Sequence, residues 1–108
     1  MIIEKVCVIG GSGFVGRHLC QQLAARGFRM VVPTRDRERA KALILLPTVD
    51  VVEADVHTPA VLAKVVAGCD AVINLVGVLH DGGGHHGFRA AHIELARSVV
   101  EACRIGGV

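Results

Sequence analysis

The chain has 108 residues, enough for one domain. Hydrophobic residues make up 52% and charged residues 20%, a balance that excludes a disordered chain and supports a buried core built mostly from Val, Leu, Ile and Ala. The net charge of +2 is too small to argue for nucleic acid. With three Phe, no Trp and no Tyr there is also no aromatic platform on which bases would stack.

Met1-Ile2-Ile3-Glu4-Lys5 leads directly into a strand-like run and lacks the features of a signal peptide. Apolar stretches are interrupted by Gly or Asn within about ten residues, too short to span a bilayer. Residues 6–9 form a continuous apolar run ending in glycines, as expected for a strand buried on both faces. Residues 14–26 follow as a helix, with Phe14, Val15, Leu19, Leu23 and Ala24 predicted near one face and Gly27 as its stop. Residues 29–34 make a second strand that Pro33 should end. A helix over 37–46 closes at Pro47, and a third strand covers 49–53. Thr58-Pro59 opens a helix to about residue 67, with Thr58 as cap and Pro59 in the first turn. A fourth strand over 71–76, a Gly- and His-rich loop over 77–87 and a helix over 88–104 complete the series.

This βαβαβαβα alternation predicts an α/β, Rossmann-type parallel sheet of order 3-2-1-4, the first two helices on one face and the last two on the other. Gly106-Gly107-Val108 reads as a helix exit entering a fifth strand, so the chain is expected to be the N-terminal part of a longer protein. The open edge of the fourth strand would then favour self-association. Cys7, Cys20, Cys69 and Cys103 form no Cys-x-x-Cys pair and sit in apolar runs. They are expected to be reduced, mostly buried thiols of a cytoplasmic protein.

The strongest chemical signal is Gly10-Gly11-Ser12-Gly13-Phe14-Val15-Gly16, which follows a buried strand and opens a helix. Gly10 permits the tight turn, Gly13 lets backbone approach a pyrophosphate, and Gly16 lets the helix pack tightly against the sheet. The free amides and dipole of the helix start favour phosphate. At the end of the second strand, where an NAD-selecting carboxylate would sit, the chain has Thr34-Arg35. The planar guanidinium of Arg35 suits a 2′-phosphate, so NADP is the expected cofactor. NAD stays the alternative because Asp36 lies one residue on. Arg37 or Arg39 is a candidate to assist Arg35 at that phosphate, but both are read as a solvated basic face in preference to phosphate ligands. His80, Asp81, His85, His86 and His92 invite a metal reading. The loop that carries the first four holds five glycines and is poorly preorganised for coordination, so no metal is expected.

The spacing Gly10, Gly13, Gly16, with Phe14 after the middle glycine, resembles the extended and atypical short-chain dehydrogenase/reductase families. Asp55-Val56 resembles the family pair that contacts adenine, and Asn74-Leu75-Val76-Gly77 resembles the Asn-x-x-Gly lining the cofactor cleft. Arg35 resembles the Arg that reads the 2′-phosphate in NADP-binding relatives. Residues 72–79 with 88–94 look closest to an atypical, epimerase/dehydratase-like branch that holds the NADPH-binding accessory subunit of respiratory complex I. That resemblance implies a protein partner in such an assembly, peripheral to the inner membrane. Family reductases also use a Tyr and a Lys four residues apart. This chain has no Tyr, so a cofactor site without a reaction centre is expected within these residues.

Overall fold

The computed structural model describes residues 2–76 and 93–108. Its elements are β1 (Lys5–Ile9), α1 (Phe14–Ala25), β2 (Arg29–Thr34), a 3-10 turn (Arg37–Ala40), α2 (Lys41–Ile44), β3 (Val49–Glu53), α3 (Pro59–Val66), β4 (Ala71–Asn74) and α4 (Leu95–Gly106). The strands form one parallel sheet in the order β3-β2-β1-β4. Val6 stands between Met30 and Ala71, and Cys7 between Val31 and Val72. All four carboxyl ends therefore open on the same side of the molecule.

The two-residue period of the strands divides the core into two layers. Val6, Val8, Met30, Val32 and Val51 pack with Cys20, Ala40 and Leu43, on the face of α1 and α2. Cys7, Ile9 and Val31 pack with Leu62, Val66, Leu95, Val99 and Ala102, on the face of α3 and α4. The predicted strand order and the two-and-two placement of helices both hold. Leu43, Leu62 and Leu95 are almost fully buried, each contributing about 1.5–3 kcal/mol of transfer free energy.

Three sequence expectations are corrected. Phe14 and Val15 do not join the buried face of α1; they are 72% and 63% exposed, and the face buries Gly16 and Cys20. The helix predicted over 37–46 is a 3-10 turn followed by a single α-turn. Its cause is Asp36, whose Oδ1 accepts the Glu38 N–H at 3.0 Å while its carbonyl accepts the Arg39 N–H at 3.2 Å, fixing i→i+3 geometry. Thr58 is the N-cap of α3 and Pro59 its first residue, as expected, but the Thr58 side chain makes no capping bond; the local side-chain bond is Asp55 Oδ1 accepting the His57 N–H at 3.0 Å.

Boundaries shift elsewhere. β4 ends at Asn74 because the Asn74 Oδ1 takes the Val76 N–H at 3.1 Å. α4 continues to Gly106, and the part of its predicted range over 88–92, which includes His92, lies outside the described residues, as do His80, Asp81, His85 and His86. Cys7, Cys20 and Cys69 are buried and Cys103 half-buried, all four as free thiols. Burial pushes Cys7 up to about 12 and Cys20 up to about 11, so both stay protonated at neutral pH.

One carboxylate ties the amino ends of two strands together. Asp70 Oδ2 accepts the N–H groups of Glu4 and Lys5, both at 2.9 Å, and these bonds hold its pKa below the ordinary carboxylate value. A depressed folded-state pKa adds stability above the unfolded value and loses it as pH falls through the folded value. Asp70→Asn is therefore expected to flatten the acid limb of a plot of urea midpoint against pH, below about pH 4. A variant that tracks the wild type across that range would show that the bonded carboxylate adds nothing.

Candidate functional site

The β1–α1 turn is shaped by close backbone approach. Gly10 has φ +84°, and a Cβ there would meet the Leu75 carbonyl carbon and the Val76 nitrogen, both at 3.0 Å. A side chain would be strained at that φ and would push the turn off the end of β4. A Cβ on Gly16 would lie 2.4 Å from the Gly10 oxygen and 2.5 Å from the Gly11 Cα. The tight contact at Gly16 is thus with the loop's own backbone, not with the sheet as expected. The sheet contact falls to Gly11, where a Cβ would meet Val32 Cγ1 at 2.9 Å and Val8 Cγ1 at 3.3 Å.

Gly13 differs from both. It is the N-cap of α1, in extended backbone at φ −75°, and an added Cβ would find only the Gly10 oxygen, at 3.5 Å. No side chain caps α1, and its first turn holds no acidic residue. The amides of that first turn have no intrahelical acceptor, so they present donors and the positive end of the helix dipole at the loop.

Beside the loop lies a cavity of about 530 Å³, lined by Ile9, Gly10, Ser12, Gly13, Pro33, Thr34, Arg35, Asp36, Arg39, Ala54, Val56, His57, Leu75 and Val76. All the strand ends contribute, as an open parallel sheet requires of a ligand crevice. Of the residues singled out from sequence, Gly10, Ser12, Gly13, Thr34, Arg35, Val56, Leu75 and Val76 meet here. Gly11 and Gly16 hold the loop from behind, and Phe14 and Val15 stand exposed at the start of α1. Asp55 is outside the lining, its carboxylate bonded to the His57 N–H, and Asn74 is outside it too, folded onto Val76. Gly77 lies outside the described residues.

Sequence reasoning missed Ile9, Pro33, Ala54 and His57 as wall residues, weighed Asp36 only as the residue that keeps NAD as the alternative, and assigned Arg39 to a solvated face. The rule that ligands sit at carboxyl strand ends would have found Pro33, Ala54 and His57. Thr34 fixes the exit of β2. Its hydroxyl accepts the Asp36 N–H at 3.1 Å and donates to the Asp36 carbonyl at 3.0 Å, and the bend leaves Arg35 in the cavity wall. Among the described residues no cluster of His, Cys, Asp and Glu is arranged to hold a metal ion, and no helix is long and apolar enough to cross a membrane.

A doubly wound parallel sheet with a glycine turn, an uncapped helix start and a crevice at its strand ends defines a Rossmann-type nucleotide-binding domain. The chain belongs to the NAD(P)H-binding family, whose model matches residues 10–108, and it is of the extended short-chain dehydrogenase/reductase type. It is 32% identical over 102 residues to the ceramide reductase of Caulobacter vibrioides, covering 94% of this chain and 32% of that protein. It is 31% identical over 98 residues to the mitochondrial NADH-ubiquinone oxidoreductase 40 kDa subunit of Neurospora crassa, covering 88% of this chain and 26% of that one. The dTDP-glucose 4,6-dehydratase of Streptomyces venezuelae, solved as a double mutant with NAD bound, superposes with a TM-score of 0.80 at 22% identity, over 95% of this chain and 36% of that one. The chain thus spans 32% and 26% of the length of these two curated relatives. The Neurospora likeness agrees with the complex I resemblance, and an equal likeness to a reductase does not single that branch out.

Proposed function

We propose that this domain binds NADP(H) in the strand-end cavity. The pyrophosphate lies against the backbone of Gly10, Ser12 and Gly13 and the start of α1, and the adenosine 2′-phosphate lies against Arg35. The observation that carries this reading is the division of charge at the exit of β2. Arg35 lines the cavity and has no carboxylate partner among the described residues, whereas the neighbouring Asp36 is engaged by the Glu38 N–H and by Arg39. A free fork of donors meets a 2′-phosphate better than it meets a pair of ribose hydroxyls. Val56 and Ala54 offer an apolar wall for the adenine, and Leu75 and Val76 close the cavity beyond β4.

When bound, the cofactor supplies hydride chemistry; these residues bind it, orient it and set its identity. The four free thiols fit a reducing compartment such as the cytoplasm. Arg35→Ala is expected to weaken NADP+ by about 1.5–3 kcal/mol, the worth of a hydrogen bond to a charged group, and to leave NAD+ nearly unchanged. Calorimetric titration of both nucleotides into wild type and variant measures this, and an equal loss for the two would remove Arg35 from the 2′-phosphate.

The likeness to the Neurospora crassa subunit favours a second reading for the whole protein, in which the nucleotide stabilises a subunit of an assembly. Cofactor that is retained through purification and is not turned over with a carbonyl substrate would support that reading over a reductase.

A further inference from the structure

Arg39 stands in the same cavity wall as Arg35, reached from the other side of the bend at Asp36. Its closest carboxylate contact is through Nε, 3.8 Å from Asp36 Oδ2. Asp36 is itself held at four points. Its Oδ1 accepts the Glu38 N–H, its carbonyl accepts the Arg39 N–H and the Thr34 hydroxyl, and its own N–H bonds back to Thr34 Oγ1. The other charges on this turn are accounted for: Lys41 pairs with Glu38 at 2.7 Å, and Arg37 does not line the cavity. A guanidinium engaged at Nε keeps its terminal NH2 groups for another acceptor.

We propose that Arg39 is a second specificity-determining residue for the 2′-phosphate and that Asp36 is its positioning residue. This inference rests on the NADP reading above. An acidic residue at the exit of β2 ordinarily selects NAD by accepting from the ribose hydroxyls. Here the bonds of the turn draw that carboxylate back toward Glu38 and Arg39, so the acid that would oppose NADP instead steadies a cation that favours it. The exposed pair adds little to stability. Its effect is on which nucleotide binds.

A double-mutant cycle on the full chain, read by calorimetry with NADP+ and NAD+, tests this. Arg39→Ala is expected to weaken NADP+ about two- to fivefold, the effect of one exposed charge contact, with NAD+ unmoved and Arg39→Lys recovering part of the loss. Asp36→Asn removes a negative charge near the phosphate. In the Arg39→Ala background it is expected to strengthen NADP+, and with Arg39 present that gain should be cancelled. Equal strengthening in both backgrounds would overturn the positioning role, and equal loss of the two nucleotides in Arg39→Ala, or none, would overturn the role of Arg39. A wild type that prefers NADP+ through Arg35 while Arg39→Ala is silent would sink this inference alone. A wild type without NADP+ preference would sink the underlying reading with it.

Discussion

Gly16→Ala is expected to destabilise the chain by about 2 kcal/mol, a fall in Tm of about 10 °C. Helix propensity argues the other way, because Ala in place of Gly inside a helix is worth about 1 kcal/mol. At Gly16 that gain is outweighed. The added carbon would lie 2.4 Å from the Gly10 oxygen, 2.5 Å from the Gly11 Cα and 2.7 Å from the Gly11 carbonyl carbon. All three are backbone atoms of a turn already pinned against Val32 and the end of β4, so none can rotate aside as a side chain would. Overpacking against such atoms costs about 3 kcal/mol, and the difference is the expected loss. Thermal and urea unfolding of the variant decide between the two effects. A rise in Tm would mean that propensity wins and that the loop is looser than its contacts imply.

Gly13→Val is expected to separate binding from folding. The backbone at Gly13 is extended, and only the Gly10 oxygen lies within reach of an added Cβ, so the fold should lose about 1 kcal/mol or less, the scale of a poorer N-cap. Dinucleotide affinity is expected to fall about a hundredfold, because the branched side chain stands between the phosphates and the amides of the helix start. Two hydrogen bonds to a charged group at about 1.5 kcal/mol each account for that size. Unfolding curves and nucleotide titrations on one preparation read both quantities. A variant that folds and binds like wild type would move the phosphates away from this loop.

The contrast between these glycines shows what could be read from sequence. Their spacing, between a buried strand and a helix, located the turn, and the alternation of elements fixed strand order and helix faces. The division of labour within the turn was not legible, because whether a missing side chain makes room for backbone, sheet or ligand depends on atoms distant in sequence. Gly11 meets Val32, and Gly10 meets Leu75 and Val76. Phe14 and Val15 were misplaced for a related reason. Periodicity follows large apolar residues, whereas α1 buries small ones, Gly16 and Cys20, where it comes closest to its neighbours. The segment after Arg35 was misread as a regular helix running to Pro47. The competing signal was Asp36, a side chain able to cap the backbone two residues on, and Arg39 on that turn lines the cavity. Asp55 and Asn74, read by resemblance as cofactor residues, spend their side-chain oxygens on the backbone of the strand exits, leaving Val56, Leu75 and Val76 in the lining.

The central claim is that the strand-end cavity holds a dinucleotide and that Arg35 makes it NADP. Parallel calorimetric titration of wild-type chain with NADP+ and NAD+ tests it most directly. Binding of one nucleotide per chain is predicted, with NADP+ tighter by at least about tenfold, the smallest effect expected of a guanidinium–phosphate contact. Equal affinities, tighter NAD+ or no binding of either would contradict it.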